Sequence, residues 1–399
     1  MKVNFSSIKT SIKRVAAVTA VTVVSAFVLT GCGEKSAADY NKEGMAFYES
    51  GDFDQAKSYL EKATSMDKKN VTYKQNYAMV LIQQGQQDEA IKILEETLSS
   101  KKKDDKNNKY AYRALGLAYL NSHDYNNAVI NFAAALKIET ANEWNTDIRY
   151  YLGNAQELAG DTTGAVASYT KILRADDTNA LAYEARARIY RNMGEYESAR
   201  EDFMKALSYD SGSFETYIGL AACCLEMGDQ AAADEALFQA SLLDIQTNED
   251  KYYLGVVHYY QGKFESAEPE MQYALANGIE DANFYLAELA MMNSDYETAK
   301  ECFTTYSAST VVESPTVCND MAVCYMKTGD YETAKGWIEK GLVYETSAVK
   351  QELLRNEIAC YEVEGDLKAA YDKLAEYVVA YPEDEGAAQE YNWLHDRVG

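Results

Sequence analysis

A short phrase that keeps returning narrows what this chain can fold into more than any other feature. "GDFDQA", "GEYESA", "GKFESA", "SDYETA" and "GDYETA" recur along it, each closed by an alanine. Aligned on that alanine, the chain carries Ala56, Ala90, Ala128, Ala165, Ala199, Ala233, Ala267, Ala299, Ala334 and Ala370, spaced by 34, 38, 37, 34, 34, 34, 32, 35 and 36 residues. A period of this size means a stack of like units in which each buries its apolar face against the next. Other positions keep the register. A small residue stands twelve before the alanine (Gly44, Ala78, Gly116, Gly153, Ala187, Ala221, Gly255, Ala287 and Ala322) and a glycine five before it (Gly51, Gly85, Gly160, Gly194, Gly228, Gly262, Gly329 and Gly365). Small residues let two antiparallel helices touch, and a glycine between them can take the left-handed backbone that ends the first. A large apolar residue often follows four after the alanine, as in Leu60, Leu94, Phe132, Tyr169, Phe203 and Phe303.

Together these marks resemble the tetratricopeptide repeat (TPR) family, with about ten copies over residues 39–383. The resemblance implies an all-α, right-handed superhelical solenoid of helix-turn-helix repeats, and only 3 Pro and 22 Gly in 399 residues agree with an almost wholly helical body. The pattern departs from the family in places. His123 and Ser294 replace the turn glycine, Ile358 stands where a small residue belongs, and only Pro382 matches the repeat-ending proline. Beyond the last repeat, Ala387, Tyr391, Leu394 and Val398 follow a 4, 3, 4 spacing with Glu390, Asp396 and Arg397 off the stripe. This predicts a solvating cap helix over 384–399.

The register also accounts for two unusual residue types. Of the 33 tyrosines, Tyr125, Tyr196, Tyr296 and Tyr331 share one repeat position with Phe53 and Phe264, while Tyr119, Tyr190, Tyr325 and Tyr361 share another. Aromatic side chains at helical spacing are expected to pack between helices. Cys223, Cys324 and Cys360 occupy one position that is apolar in every other repeat, which predicts small buried hydrophobes and thiols rather than metal ligands.

The chain opens differently. Lys2, Lys9, Lys13 and Arg14 precede the apolar stretch Val15 to Leu29, about fifteen residues against the roughly 20 needed to span a bilayer. Leu29-Thr30-Gly31-Cys32 then resembles the lipobox of bacterial lipoproteins. That resemblance implies a signal peptide over 1–31, a diacylated Cys32 as first mature residue and a short tether to residue 38. It places the body at the extracytoplasmic side of a cell membrane, and two acyl chains suffice for a stable anchor.

Charge and motif content exclude other classes. Without residues 1–31 the net charge is −29, which opposes binding to nucleic acid or to anionic lipid. No catalytic constellation, phosphate-binding glycine loop or metal-ligand spacing appears, and His123, His258 and His395 fall far apart. The expectation is a non-enzymatic scaffold with no cofactor that binds protein or peptide partners in the cell envelope. A receptor or enzyme with a small-molecule or glycan pocket is the alternative. The TPR resemblance places partner contacts on the first helix of each repeat, at Arg113, Tyr150, Asn154, Glu157, Glu184, Arg188 and Arg191, and further along at Tyr252, Tyr259 and Phe284. Arg113, Arg188 and Arg191 form the one local reversal of charge. Either Glu157 and Glu184 neutralise the repeat-five pair across adjacent helices, or part of the set stays open to a carboxylate, with Tyr150 and Asn154 beside it.

Overall fold

The computed structural model describes residues 35–99, 104–309, 314–344 and 349–398. Residues 1–31, expected to be a signal peptide, and Cys32 lie outside the described residues. The chain divides into two compact units that meet in sequence between Asp229 and Gln230.

Among the described residues 21 α-helices and no strand occur. The first unit contains α1 (Ala37–Glu49), α2 (Phe53–Met66), α3 (Val71–Gln83), α4 (Gln87–Glu95), α5 (Asp105–Asn121) and α6 (Tyr125–Leu136). It continues with α7 (Asn145–Leu158), α8 (Thr162–Ala175), α9 (Ala180–Asn192), α10 (Tyr196–Tyr209) and α11 (Phe214–Glu226). The second unit contains α12 (Gln230–Ser241), α13 (Asn248–Tyr260), α14 (Phe264–Ala276), α15 (Ala282–Met292) and α16 (Tyr296–Ser309). Its remaining helices are α17 (Pro315–Lys327), α18 (Tyr331–Leu342), α19 (Lys350–Glu364), α20 (Leu367–Ala380) and α21 (Glu385–Val398). Within each unit the helices pack as antiparallel pairs, and the second helix of one pair packs on the first helix of the next.

The ten alanines that set the register are all fully buried. Each faces a turn built in one way. The residue five before the alanine has positive φ, and the next amide donates to the carbonyl five residues back, from Asp52 to Phe47 at 3.0 Å through to Asp366 to Tyr361 at 3.0 Å. This is the hydrogen bond that closes a helix on a left-handed residue. His123 (φ 62°) and Ser294 (φ 60°) adopt the same conformation as the glycines, and their turns keep the bond, Asp124 to Tyr119 and Asp295 to Ala290, both at 2.9 Å. Repeat packing therefore overrides the local cost of a Cβ there, about 1–2 kcal/mol per residue. His123→Gly and Ser294→Gly are each expected to raise stability by about 1 kcal/mol in urea denaturation. No gain at either site would mean that the side chain repays its own strain.

The irregular spacings fall between repeats. The 37-residue step is lengthened by Ala141, in the left-handed region, and a 3₁₀ turn, Asn142–Trp144. Lys109 pins this insertion. Its side chain is fully buried, and Nζ donates to Ile138 O at 3.0 Å, Thr140 O at 2.8 Å and Asn145 Oδ1 at 2.8 Å, which uses all three ammonium protons. Burial holds this ammonium below its usual value.

Small residues do what close packing demands. A Cβ on Gly116 would lie 2.6 Å from the Phe132 ring, so only glycine lets α5 and α6 meet there. Cys223, Cys324 and Cys360 are fully buried, and burial pushes the Cys223 thiol up to about 12. The first helix begins at Ala37, where Ser36 and Asp39 form a reciprocal cap. At the far end, α21 buries Ala387 and Leu394, and Asp384 caps it by accepting from Ala387 N at 2.9 Å.

Candidate functional site

The first helices of successive repeats bring their side chains into a row, and the row is cross-linked at recurring positions. In the first unit, Glu157, eight before its repeat's alanine, meets Arg188, eleven before the next. Arg188 Nη2 donates to Glu157 Oε2 at 2.9 Å and Nε to Oε1 at 3.3 Å. The second unit repeats the contact with other chemistry, as Tyr259 Oη donates to Glu288 Oε2 at 3.2 Å between the same two positions. Other rungs join further pairs of first helices. Arg113 Nε donates to Asp147 Oδ2 at 2.5 Å, Asn76 Nδ2 to Asn41 Oδ1 at 2.9 Å, and Asn356 Nδ2 to Asn319 Oδ1 at 2.9 Å.

The burial of these groups decides what each can do. The Arg188 and Glu157 side chains are only 7% and 12% exposed, so this pair works in a low-dielectric setting. Burial alone would lower the Arg188 guanidinium, but the Glu157 carboxylate outweighs it and holds the group well above its ordinary value. Arg113 and Asp147 are more open, at 21% and 27%. Arg113 also lies over the Tyr151 ring at 5.9 Å.

Several predicted contact residues take other roles. Glu184 does not join Glu157 in neutralising the arginines. Its Oε2 accepts from Thr216 Oγ1 at 2.5 Å and Ser213 Oγ at 3.1 Å, so it ties α9 to α11. Arg191 lies at the end of α9, where Nη2 donates to Asn192 Oδ1 at 3.3 Å and its charge acts on Tyr196 and Cys223. Tyr150 is buried with its ring 5.5 Å from that of Tyr169. Asn154 is 2% exposed, and its Oδ1 is buried without a hydrogen-bond partner.

In the second unit Tyr252 is buried, 6.2 Å from the Tyr285 ring. Phe284 is 2% exposed and packs on Phe303 and Tyr306 of α16 at 6.1 and 5.7 Å. Its place is in the core of its own repeat, because the packing of α15 on α16 turns its position inward. Of the second-unit candidates, Tyr259 keeps a half-exposed side chain. Burial, followed by the Glu288 carboxylate, raises its phenol, so it stays a neutral donor.

Sequence reasoning missed the partners more than the positions. Asp147 stands 34 residues after Arg113, one repeat on, and charge complementarity at that period is the signal that could have found it. Two of the tyrosines nine before the alanine also receive cations from the preceding repeat. Lys300 lies over Tyr325 at 4.8 Å and Lys335 over Tyr361 at 5.1 Å, each lysine directly following a register alanine.

Comparison with known proteins agrees with this construction. Sequence profiles of the tetratricopeptide repeat match residues 47–115, 112–180, 180–212 and 252–302, together more than half of the chain. The chain belongs to the tetratricopeptide repeat family. Protein CTR9 homolog of Arabidopsis thaliana is 25% identical over 178 residues, which cover 43% of this chain and 16% of that protein, so the chain spans about a sixth of that relative's length. Among solved structures, the APC/C hetero-tetramer Cut9-Hcn1 is similar over 90% of each chain, with 16% identity and a TM-score of 0.45. A tetratricopeptide repeat protein from Parabacteroides merdae is similar over 63% of this chain and 99% of its own, with 17% identity and a TM-score of 0.46. Yeast Tom70 is similar over 90% of this chain and 96% of its own, with 12% identity and a TM-score of 0.42.

Proposed function

We propose that this protein is a non-catalytic interaction scaffold, anchored through a diacylated Cys32 at the extracytoplasmic side of a bacterial cell membrane, whose first helices hold protein or peptide partners. The observation that carries the reading is the cross-linked row of first-helix side chains. Glu157 with Arg188 and Tyr259 with Glu288 use one geometry with different chemistry, which is what a surface ordered before its partner arrives requires. The contacts available to a partner are the half-exposed groups of that row, Arg113 with Asp147 in the first unit and Tyr259 in the second. The deeply buried members, Arg188, Glu184, Asn154, Tyr252 and Phe284, shape the surface from below. Anchoring rests on the charge order before Val15 and on Leu29-Thr30-Gly31-Cys32.

Cross-linking in intact cells followed by mass spectrometry tests the scaffold reading. Arg113→Ala and Tyr259→Ala are each expected to deplete specific cross-linked partners at least several-fold while the helical content stays unchanged. Partner recovery unaffected by both substitutions would overturn the reading. For the anchor, Cys32→Ser is expected to move the protein from the membrane fraction into soluble or unprocessed pools with the repeats intact. Unchanged membrane association with an unchanged mass would refute it.

A further inference from the structure

Repeat one lacks a cover that every later repeat has. Ten residues before the register alanine the chain is buried in each repeat from Val80 through Cys360, where a preceding helix pair packs on the first helix, whereas Ala46 is exposed. No helix precedes α1 among the described residues. The face left open is aromatic and edged with lysine. Tyr40 and Phe47 of α1 bring their rings to 5.8 and 5.1 Å from that of Tyr59 of α2. Lys35 Nζ lies 5.3 Å from the centre of the Tyr59 ring, and Lys62 Nζ 4.8 Å from that of Tyr40. The acids beside them are engaged, Glu43 with Lys35 at 2.7 Å and Asp39 in the cap of α1.

The anchor proposed above sets how far this face can lie from lipid. Lys35 follows Cys32 by three residues, a reach of at most about 10 Å, and one headgroup layer is itself about 5–8 Å thick. The chemistry of the face suits that layer. A tyrosine has an apolar ring and a hydroxyl that wants water, which favours the boundary between hydrocarbon and solvent. A lysine lays its stem along apolar surface and sends its ammonium toward phosphate.

We propose that the open face of repeat one is a membrane seat: Tyr40, Phe47 and Tyr59 settle into the headgroup layer beside the acyl chains of Cys32, and Lys35 and Lys62 reach its phosphates. The inference rests on the anchoring by Cys32 and adds that the fold itself, not the tether alone, meets the bilayer. It also answers the problem of the uncovered repeat, since an array end without a polar cap needs something to lie against it. The net charge of −29 without residues 1–31 opposes an anionic surface, so the seat suits zwitterionic headgroups.

Hydroxyl-radical footprinting of the full acylated protein in phosphatidylcholine vesicles, read by mass spectrometry, tests the seat. Tyr40, Phe47 and Tyr59 are expected to label several-fold more slowly than in a variant carrying Lys35→Glu and Lys62→Glu, while the exposed Trp393 of the second unit labels alike in both. Equal labelling of the three rings would overturn the proposal. So would protection that fades when lipid is added in excess, which would give the face to a second copy. Should the double variant lose helical circular dichroism, Ala46→Asp sets a charge on the open face without entering the core, and is expected to unprotect the same rings. Wild-type protection in that variant would equally sink the seat. The same spectra give the mass of the N-terminal peptide and keep the two readings apart. Protein that carries no acyl chains and fails to float with the vesicles would overturn the anchor and the seat together, whereas acylated, floating protein with unprotected rings would overturn the seat alone.

Discussion

Arg188→Ala is expected to lower the stability of the repeats around it by about 3–5 kcal/mol, the usual cost of removing one partner from a buried ion pair. The loss comes less from the attraction given up than from what remains. Glu157, 12% exposed, would keep a charge whose two hydrogen bonds came from Arg188. Two controls separate this account from simple truncation. Arg188→Met combined with Glu157→Leu removes both charges while keeping volume, and is expected to recover most of the loss. Arg113→Ala, at a more open pair, is expected to cost only about 1 kcal/mol. Repeat arrays do not unfold as one two-state unit, so the measurement is urea-dependent hydrogen exchange in α7 and α9. A loss below about 1 kcal/mol for Arg188→Ala would show that water already reaches the pair.

Lys109→Met is the second large effect, at about 3 kcal/mol or more. The substitution keeps most of the buried stem but leaves Ile138 O, Thr140 O and Asn145 Oδ1 without their donor, and buried acceptors cost about 1–3 kcal/mol each when unsatisfied. The damage should be local. Trp144, its ring 5.9 Å from that of Tyr110, holds the far end of the insertion, while the carbonyls of Ile138 and Thr140 at its near end rely on Lys109, so exchange protection is expected to fall first in the turn Asn142–Trp144 and at the start of α7. Uniform loss of protection over the first unit, with no early step there, would contradict a pinning role. Lys109→Arg is expected to fail as a rescue, because three oxygens gathered around one point suit a compact ammonium and not a planar fork.

Both cases show how far the chain could be read without its structure. The ten turns were legible down to the exceptions, because a left-handed residue between two helices leaves a mark on sequence wherever glycine fills it. At His123 and Ser294 the register predicted a turn although the residue type did not, and the backbone followed the register. The alanine and cysteine positions were legible for the same reason. Close helix packing depends on side-chain volume, and volume is written in the residue type.

The partners of the charged and polar groups were not legible. Periodicity placed Glu157, Glu184 and Arg188 on first helices within reach of one another, yet gave equal weight to both glutamates as partners for the arginines. Only the offset between neighbouring helices decided that Glu157 takes Arg188 while Glu184 turns to Thr216 and Ser213. Burial was hidden in the same way. Lys109 carries no sign in sequence that it is sealed among the oxygens of Ile138, Thr140 and Asn145. A helical period fixes which residues share a face, and a repeat period fixes which faces are equivalent. The rise and rotation between repeats, set by packing along each unit, decide which charge meets which and how much water remains between them.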